Sequence, residues 1–118
     1  MTGFLNRPAL LAADDGGWEL DHPLHYVSKA EETITIPKGF WTDLASIPRV
    51  AQLAIEVNGP HRPAAILHDY LYSVKDRSRS EADSLFLEAM ELSGVGWFTR
   101  WAMYSAVRVG GWVAWGKD

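Results

Sequence analysis

A chain of 118 residues with 47% apolar and 22% charged side chains has room for one hydrophobic core and is too apolar to be disordered. The formal net charge of -4 argues against a protein that coats nucleic acid, because phosphate binding needs a basic face. The absence of cysteine excludes disulfides, thiolate metal ligands and a cysteine nucleophile.

The N-terminal stretch MTGFLNRPALLAADDGG has only a short apolar run, followed directly by acids, so no signal peptide is expected. Residues 1–40 are expected to be β-rich. PALLAA is a short apolar run, and Asp14 to Gly17 spell a turn, since glycine accepts positive φ. WELDHPLHYVS is expected to pair back as a strand, with Pro23 forcing a break or an edge. ETITIP alternates, with Ile34 and Ile36 on one face and Thr33 and Thr35 on the other. A small antiparallel β meander with one face on the core follows.

Residues 46–110 are expected to be helical. Ser46 is a candidate N-cap for a helix through SIPRVAQLAI, with Pro48 in its first turn. Asn58 to Pro60 break the chain. A helix from about Pro60 to Tyr72 follows, with Pro63 tolerated in its first turn. Ser78 to Glu81 form a capping-box pattern. The helix they open carries Ala82, Leu85, Phe86, Ala89 and Met90 on one stripe and ends at Gly94 or Gly96. The last helix covers about 97–109, and Gly110 and Gly111 stop it. The fold class expected is α+β: a single domain with a small β meander packed on three to four helices.

On the second of these helices His68 and Tyr72 stand at i and i+4 and share a face. Asp69 is turned about 100° away and serves a different partner. His68 is thus a titratable ring beside the apolar row of Leu67 and Leu71, as a general base requires. Asp83, in the first turn of the next helix, is the candidate carboxylate that fixes its tautomer. The competing reading is a satisfied core histidine, with Asp83 serving only the N-terminal end of its helix.

A second cluster is GFWTDLASIPR, where Thr42, Asp43 and Ser46 crowd a loop between aromatics. The alternative there is local capping of backbone N–H groups. No nucleophile elbow surrounds Ser46. Asp43, His68, Asp69 and Asp83 offer metal ligands, and in a chain without thiols calcium is favoured over zinc. His22 and His25 are expected to face opposite sides of a strand, and His61 beside Arg62 to be solvated. Local basic patches are conceivable at Arg77 with Arg79 and at His61 with Arg62. Trp97, Trp101, Tyr104, Trp112 and Trp115 read as core and interface. Arg100 and Arg108 mark the solvated face, and an interfacial membrane helix is the lesser alternative. No integral membrane insertion is expected, since no run of about 18 charge-free apolar residues exists.

The blocks IPKGFWTDLASIPR, HRPAAILHDYLY, SRSEADSLFLEAM and RWAMYSAVRVGGWVAW, in that order, resemble a phage and prophage family of small proteins of unknown function. The resemblance implies a bacteriophage origin, genes near tail or lysis genes, other phage proteins as partners, and a place in the host bacterial cytoplasm or the virion. It implies no established activity. HDYLY followed by EADSLFLEAM is also similar to the phospholipase A2 superfamily. That similarity implies His68 as the base for water, Asp69 as a calcium ligand, and Tyr72 and Asp83 as the pair orienting the histidine. The glycine-rich calcium loop of that family is absent, so Asp43 or nearby carbonyls would have to complete a metal site. Two functions are therefore expected to compete: a phage-encoded hydrolase acting on an ester or amide, and a non-enzymatic phage structural or assembly protein such as a tail component.

Overall fold

The computed structural model describes residues 2–44, 46–48 and 60–116. Six short strands come first: β1 (Gly3–Phe4), β2 (Leu10–Ala12), β3 (Trp18–Leu20), β4 (Leu24–Val27), β5 (Thr33–Ile36) and β6 (Trp41–Thr42). Among the described residues four helices follow: α1 (His61–Val74), α2 (Arg79–Leu92), α3 (Trp97–Gly110) and α4 (Trp112–Trp115). The class is α+β, as the sequence pattern predicts. The expected helix through SIPRVAQLAI lies mostly outside the described residues.

The strands are antiparallel throughout, but they form two three-stranded sheets, ordered β1-β4-β5 and β2-β3-β6. The break at Pro23 explains the division. It separates β3 from β4 within WELDHPLHYVS, and each half joins a different sheet. His22 lies in that break rather than in a strand, and its Nε2 meets the Arg7 carbonyl at 3.2 Å. The alternation of β5 holds: Ile34 and Ile36 are buried and Thr33 and Thr35 exposed.

Helix α1 is buried over most of its circumference, with Ala64, Ala65, Ile66, Leu67 and Leu71 all in the core. Burying each of its large apolar side chains contributes roughly 1.5–3 kcal/mol. It ends on Lys75 in the left-handed region, whose N–H returns to Leu71 O. Helix α2 packs on α1 and α3. Its capping box is formed: Ser78 Oγ accepts from Glu81 N, and Ser78 N donates to Glu81 Oε1, both at 3.1 Å. Ala82, Phe86, Ala89 and Met90 are buried, while Leu85 lies at the margin. Gly94, at φ 86°, carries the chain out.

Helix α3 ends at Gly110 with Gly111 as its C-cap, as the glycine pair predicts. Gly111 keeps right-handed helical angles, and α4 starts at the next residue. Glycine is needed at position 111 for space rather than for flexibility. A Cβ on Gly111 would lie 2.4 Å from Val107 O and 2.5 Å from the Tyr72 hydroxyl. The predicted core role of the C-terminal aromatics holds only in part. Trp115 packs edge-on against Tyr72, whereas Trp97, Trp101 and Trp112 are exposed.

The β region is tied to α2 by polar contacts. Tyr26, itself in the core, donates its hydroxyl to Glu88, and Lys29 N donates to the same Glu88 oxygen at 3.1 Å. Arg77 grips Glu32 through two parallel bonds of 2.9 and 2.8 Å, the bidentate geometry that suits guanidinium and carboxylate.

Candidate functional site

Helices α1 and α2 run side by side and bring His68 to Asp83. His68 Nε2 lies 2.7 Å from Asp83 Oδ1. The Tyr72 hydroxyl, one helical turn further along α1, donates to the same oxygen at 2.7 Å. The His68 ring is held between Tyr72 and Phe86, with ring centroids 4.2 and 4.7 Å away. His68 and Asp83 are both 0% exposed.

The second carboxylate oxygen, Oδ2, meets two cations. Arg108 Nη1 from α3 reaches it at 2.7 Å, and Arg79 Nη1 lies at 3.4 Å. Arg79 also donates to the carbonyls of Val107 and Arg108, at 3.0 and 3.2 Å, so its charge sits at the negative end of α3. Arg108 is therefore not simply a marker of the solvated face: Asp83 draws it inward. Arg100 is likewise turned back, onto Val95 O at 3.2 Å and towards Glu91.

The protonation states follow. Burial pushes the His68 pKa down, and the attraction of Asp83 only partly offsets this. For Asp83, burial works upwards, but hydrogen bonds from His68 and Tyr72 and the nearby cation Arg108 prevail and hold its pKa below the ordinary value. Tyr72 is pushed up, by burial first and then by its bond to Asp83. The consistent assignment is a neutral imidazole donating Nε2–H to a carboxylate. Its Nδ1 is then an acceptor, and it lies 2.9 Å from Ser46 Oγ.

Ser46 arrives there because the loop after β6 is clamped to α1. Thr42 Oγ1 donates to Asp69 Oδ2 at 2.5 Å and accepts from Leu44 N at 3.0 Å. Ser46 N donates to Asp69 Oδ1 at 3.1 Å. Leu44 takes φ 62° to make this bend, a conformation that costs a non-glycine residue roughly 1–2 kcal/mol. Asp69 thus does serve a different partner from His68 on the same turn, and that partner is the loop. Thr42 and Ser46 join the site. Asp43 is exposed.

The donor set does not fit a metal as it stands. Both Asp69 oxygens are used by the loop, and among the described residues no three His, Asp or Glu side chains converge as a ligand group. Among the described residues, no helix is long and apolar enough to cross a membrane. The basic patch foreseen at Arg77 and Arg79 is neutralised by Glu32, Asp76 and Asp83. The second patch is not solvated: Arg62 is 6% exposed, and His61 Nδ1 is buried without a hydrogen-bond partner among the described residues.

Sequence reasoning overlooked Arg79 and Arg108. Arg79 stands four residues before Asp83, a spacing at which opposite charges on a helix meet, so it was within reach. Arg108 carried no such signal.

No curated protein and no solved structure matches the chain. Residues 18–107 match a family described as protein of unknown function, DUF1353. That span covers β3 to the last turns of α3, and so every side chain of the site but Arg108. The chain belongs to the DUF1353 family.

Proposed function

We propose that this protein is a hydrolase of an ester or amide, in which His68 and Asp83 deprotonate an oxygen nucleophile at His68 Nδ1. The observation that carries this reading is the continuous hydroxyl–imidazole–carboxylate relay, Ser46 to His68 at 2.9 Å and His68 to Asp83 at 2.7 Å. As Nδ1 takes the proton, the carboxylate stabilises the imidazolium that forms. Tyr72 fixes the carboxylate, and Phe86 fixes the ring. The position at Nδ1 is filled by Ser46 Oγ, and a water enters it when the loop lifts from Asp69. The similarity of HDYLY and the following acid to phospholipase A2 supports the roles of His68, Tyr72 and Asp83. It supports no calcium step here.

The test is hydrolysis of a panel of p-nitrophenyl esters and anilides. His68→Gln is expected to abolish it. Ser46→Ala separates the two nucleophiles: activity vanishes if the serine attacks, and survives if water does. A wild-type chain inert to the whole panel, or a His68→Gln variant with undiminished activity, overturns the proposal.

A second reading, a non-enzymatic phage assembly or tail protein, is favoured by one specific observation. His68 and Asp83 have no exposure, and Ser46 only 2%, so the cluster is closed to substrate. Two arginines already engage Asp83, and burial makes His68 a weak base. In that reading the cluster fixes the packing of α1, α2, α3 and the loop. The ordered sequence blocks support a phage or prophage origin, and the host cytoplasm or the virion is then the place to find the chain. Virions that assemble and infect normally without it would count against an essential structural role.

A further inference from the structure

A cleft of about 980 Å³ opens beside the first turn of α1, lined by Phe4, Arg7, Leu10, Trp18, Arg62 and Pro63 among others. None of its described lining residues belongs to the His68 cluster. Among the described residues two arginines and no acid line it, in a chain whose net charge is -4.

Arg62 is the unusual member. It is 6% exposed, its Nε is buried with no hydrogen-bond partner among the described residues, and its guanidinium carbon sits 4.5 Å from the centroid of the Trp18 ring. Every arginine of α2 and α3, and Arg77 before them, faces an acid: Arg77 meets Glu32, Arg79 and Arg108 meet Asp83, and Arg100 approaches Glu91. Arg62 has no acid partner among the described residues. Burial pushes its pKa down. A buried cation without a counter-ion is costly. Stacking on an indole face offsets part of that cost and holds the guanidinium plane.

We propose that this cleft is a binding site for a small organic anion, one carboxylate or phosphate carried on an apolar body, with Arg62 as the residue that grips the anionic group. The fork of a stacked guanidinium matches either oxyanion through two parallel bonds. Arg7 adds a second positive charge at the same cleft. Phe4, Leu10 and Pro63 supply apolar walls for the body of the ligand. The volume lies at the upper end of the range of small-molecule sites.

The test uses the full chain with benzoate, phenyl phosphate, inorganic phosphate and neutral benzyl alcohol, followed by thermal melting and by Trp18-sensitive fluorescence. Benzoate or phenyl phosphate is expected to raise the melting temperature saturably, as any ligand specific for the native state must. Benzyl alcohol is expected to do far less. Whichever of the two anions binds more tightly identifies the oxyanion, and inorganic phosphate alone shows how much the apolar body adds. Arg62→Gln is expected to weaken binding by about 30-fold or more, the usual loss for one partner of a buried charge pair. Because Arg62 has no acid partner among the described residues, the unliganded Arg62→Gln protein should melt at or above the wild-type temperature. If Arg62→Gln does not fold, Arg7→Gln, at an exposed position, is expected to weaken the anions selectively. The proposal is overturned if the alcohol binds as well as the anions, if the anion shift survives Arg62→Gln, or if no probe shifts the wild-type melt.

Discussion

His68 and Tyr72, one turn apart on α1, donate to the same oxygen of Asp83, each at 2.7 Å. Oδ1 is thereby saturated from one helix, which leaves Oδ2 to Arg108 and Arg79. A single buried carboxylate joins three helices.

The first consequence concerns Asp83→Asn, which keeps the shape and removes the charge. Two cations and a neutral imidazole then face an amide. Breaking one side of a buried ion pair costs about 3–5 kcal/mol. The Arg79 and Arg108 side chains retain 21% and 34% exposure and regain some hydration, so the lower end of that range is expected. Urea denaturation followed by circular dichroism measures it. A loss below about 0.5 kcal/mol, the range of ordinary surface changes, would mean that the carboxylate is not the tie between helices.

The pH dependence has a definite sign. The native His68 pKa lies below the unfolded value of 6.5, so below that pH the unfolded chain takes up a proton that the native chain refuses. The stability from this group is complete above pH 6.5 and declines as the pH falls below it, until the native ring itself titrates. The slope is at most about 1.4 kcal/mol per pH unit. Asp83 works in the same direction at lower pH: its contribution is present above the unfolded value of 3.8 and is lost as the pH falls through its depressed native pKa. Urea midpoints between pH 7.5 and 5 should fall for the wild type and stay flatter for His68→Gln. Parallel profiles would remove His68 as the cause.

Gly111→Ala places a methyl group 2.5 Å from the Tyr72 hydroxyl and 2.4 Å from a backbone oxygen. The backbone contact cannot yield cheaply, so α4 or Tyr72 must move, and the Tyr72 bond to Asp83 is strained. Overpacking of this kind costs typically about 1–3 kcal/mol. Glycine is also a poorer helix former than alanine by about 1 kcal/mol, and Gly111 has helical angles. On propensity alone the substitution would stabilise, so a lower melting temperature in Gly111→Ala discriminates packing from propensity.

Asp69→Ala removes both anchors of the 42–46 loop. The wild-type His68 is closed off, and diethyl pyrocarbonate should modify it far more slowly than the exposed His22. In Asp69→Ala the rate at His68 should rise, together with hydrogen exchange at the Ser46 amide. Unchanged protection at both would show that the loop is held by something other than Asp69.

The pairing of His68 with Asp83 was legible because it rests on short-range facts. Tyr72 follows His68 at i+4, SRSE fixes the start of α2, and only a short connection joins the two helices. The strand alternation at Ile34 and Ile36 was legible for the same reason. The division into two sheets was not, since partners such as Trp18 and Thr42 are brought together across the chain, and two-residue strands such as β1 carry no period to detect. Ser46 was singled out, but its placement on His68 depends on the left-handed turn at Leu44 and on Asp69. Arg108 read as a solvent-facing residue because a partly exposed arginine and a committed one look alike in sequence.

The partners of Asp83 come from very different distances along the chain: Arg79 at 4 residues, Tyr72 at 11, His68 at 15 and Arg108 at 25. The hairpin of α1 and α2 closes early because its loop is short, but it closes around a carboxylate that still lacks its nearest cation. Only the docking of α3 supplies Arg108. The order of assembly is therefore coupled to charge: the hairpin is a poor resting point, and completion of the third helix is what makes it worth forming. The domain is expected to fold and unfold as one cooperative unit, and a fragment ending before Trp97 should behave as an unfolded chain.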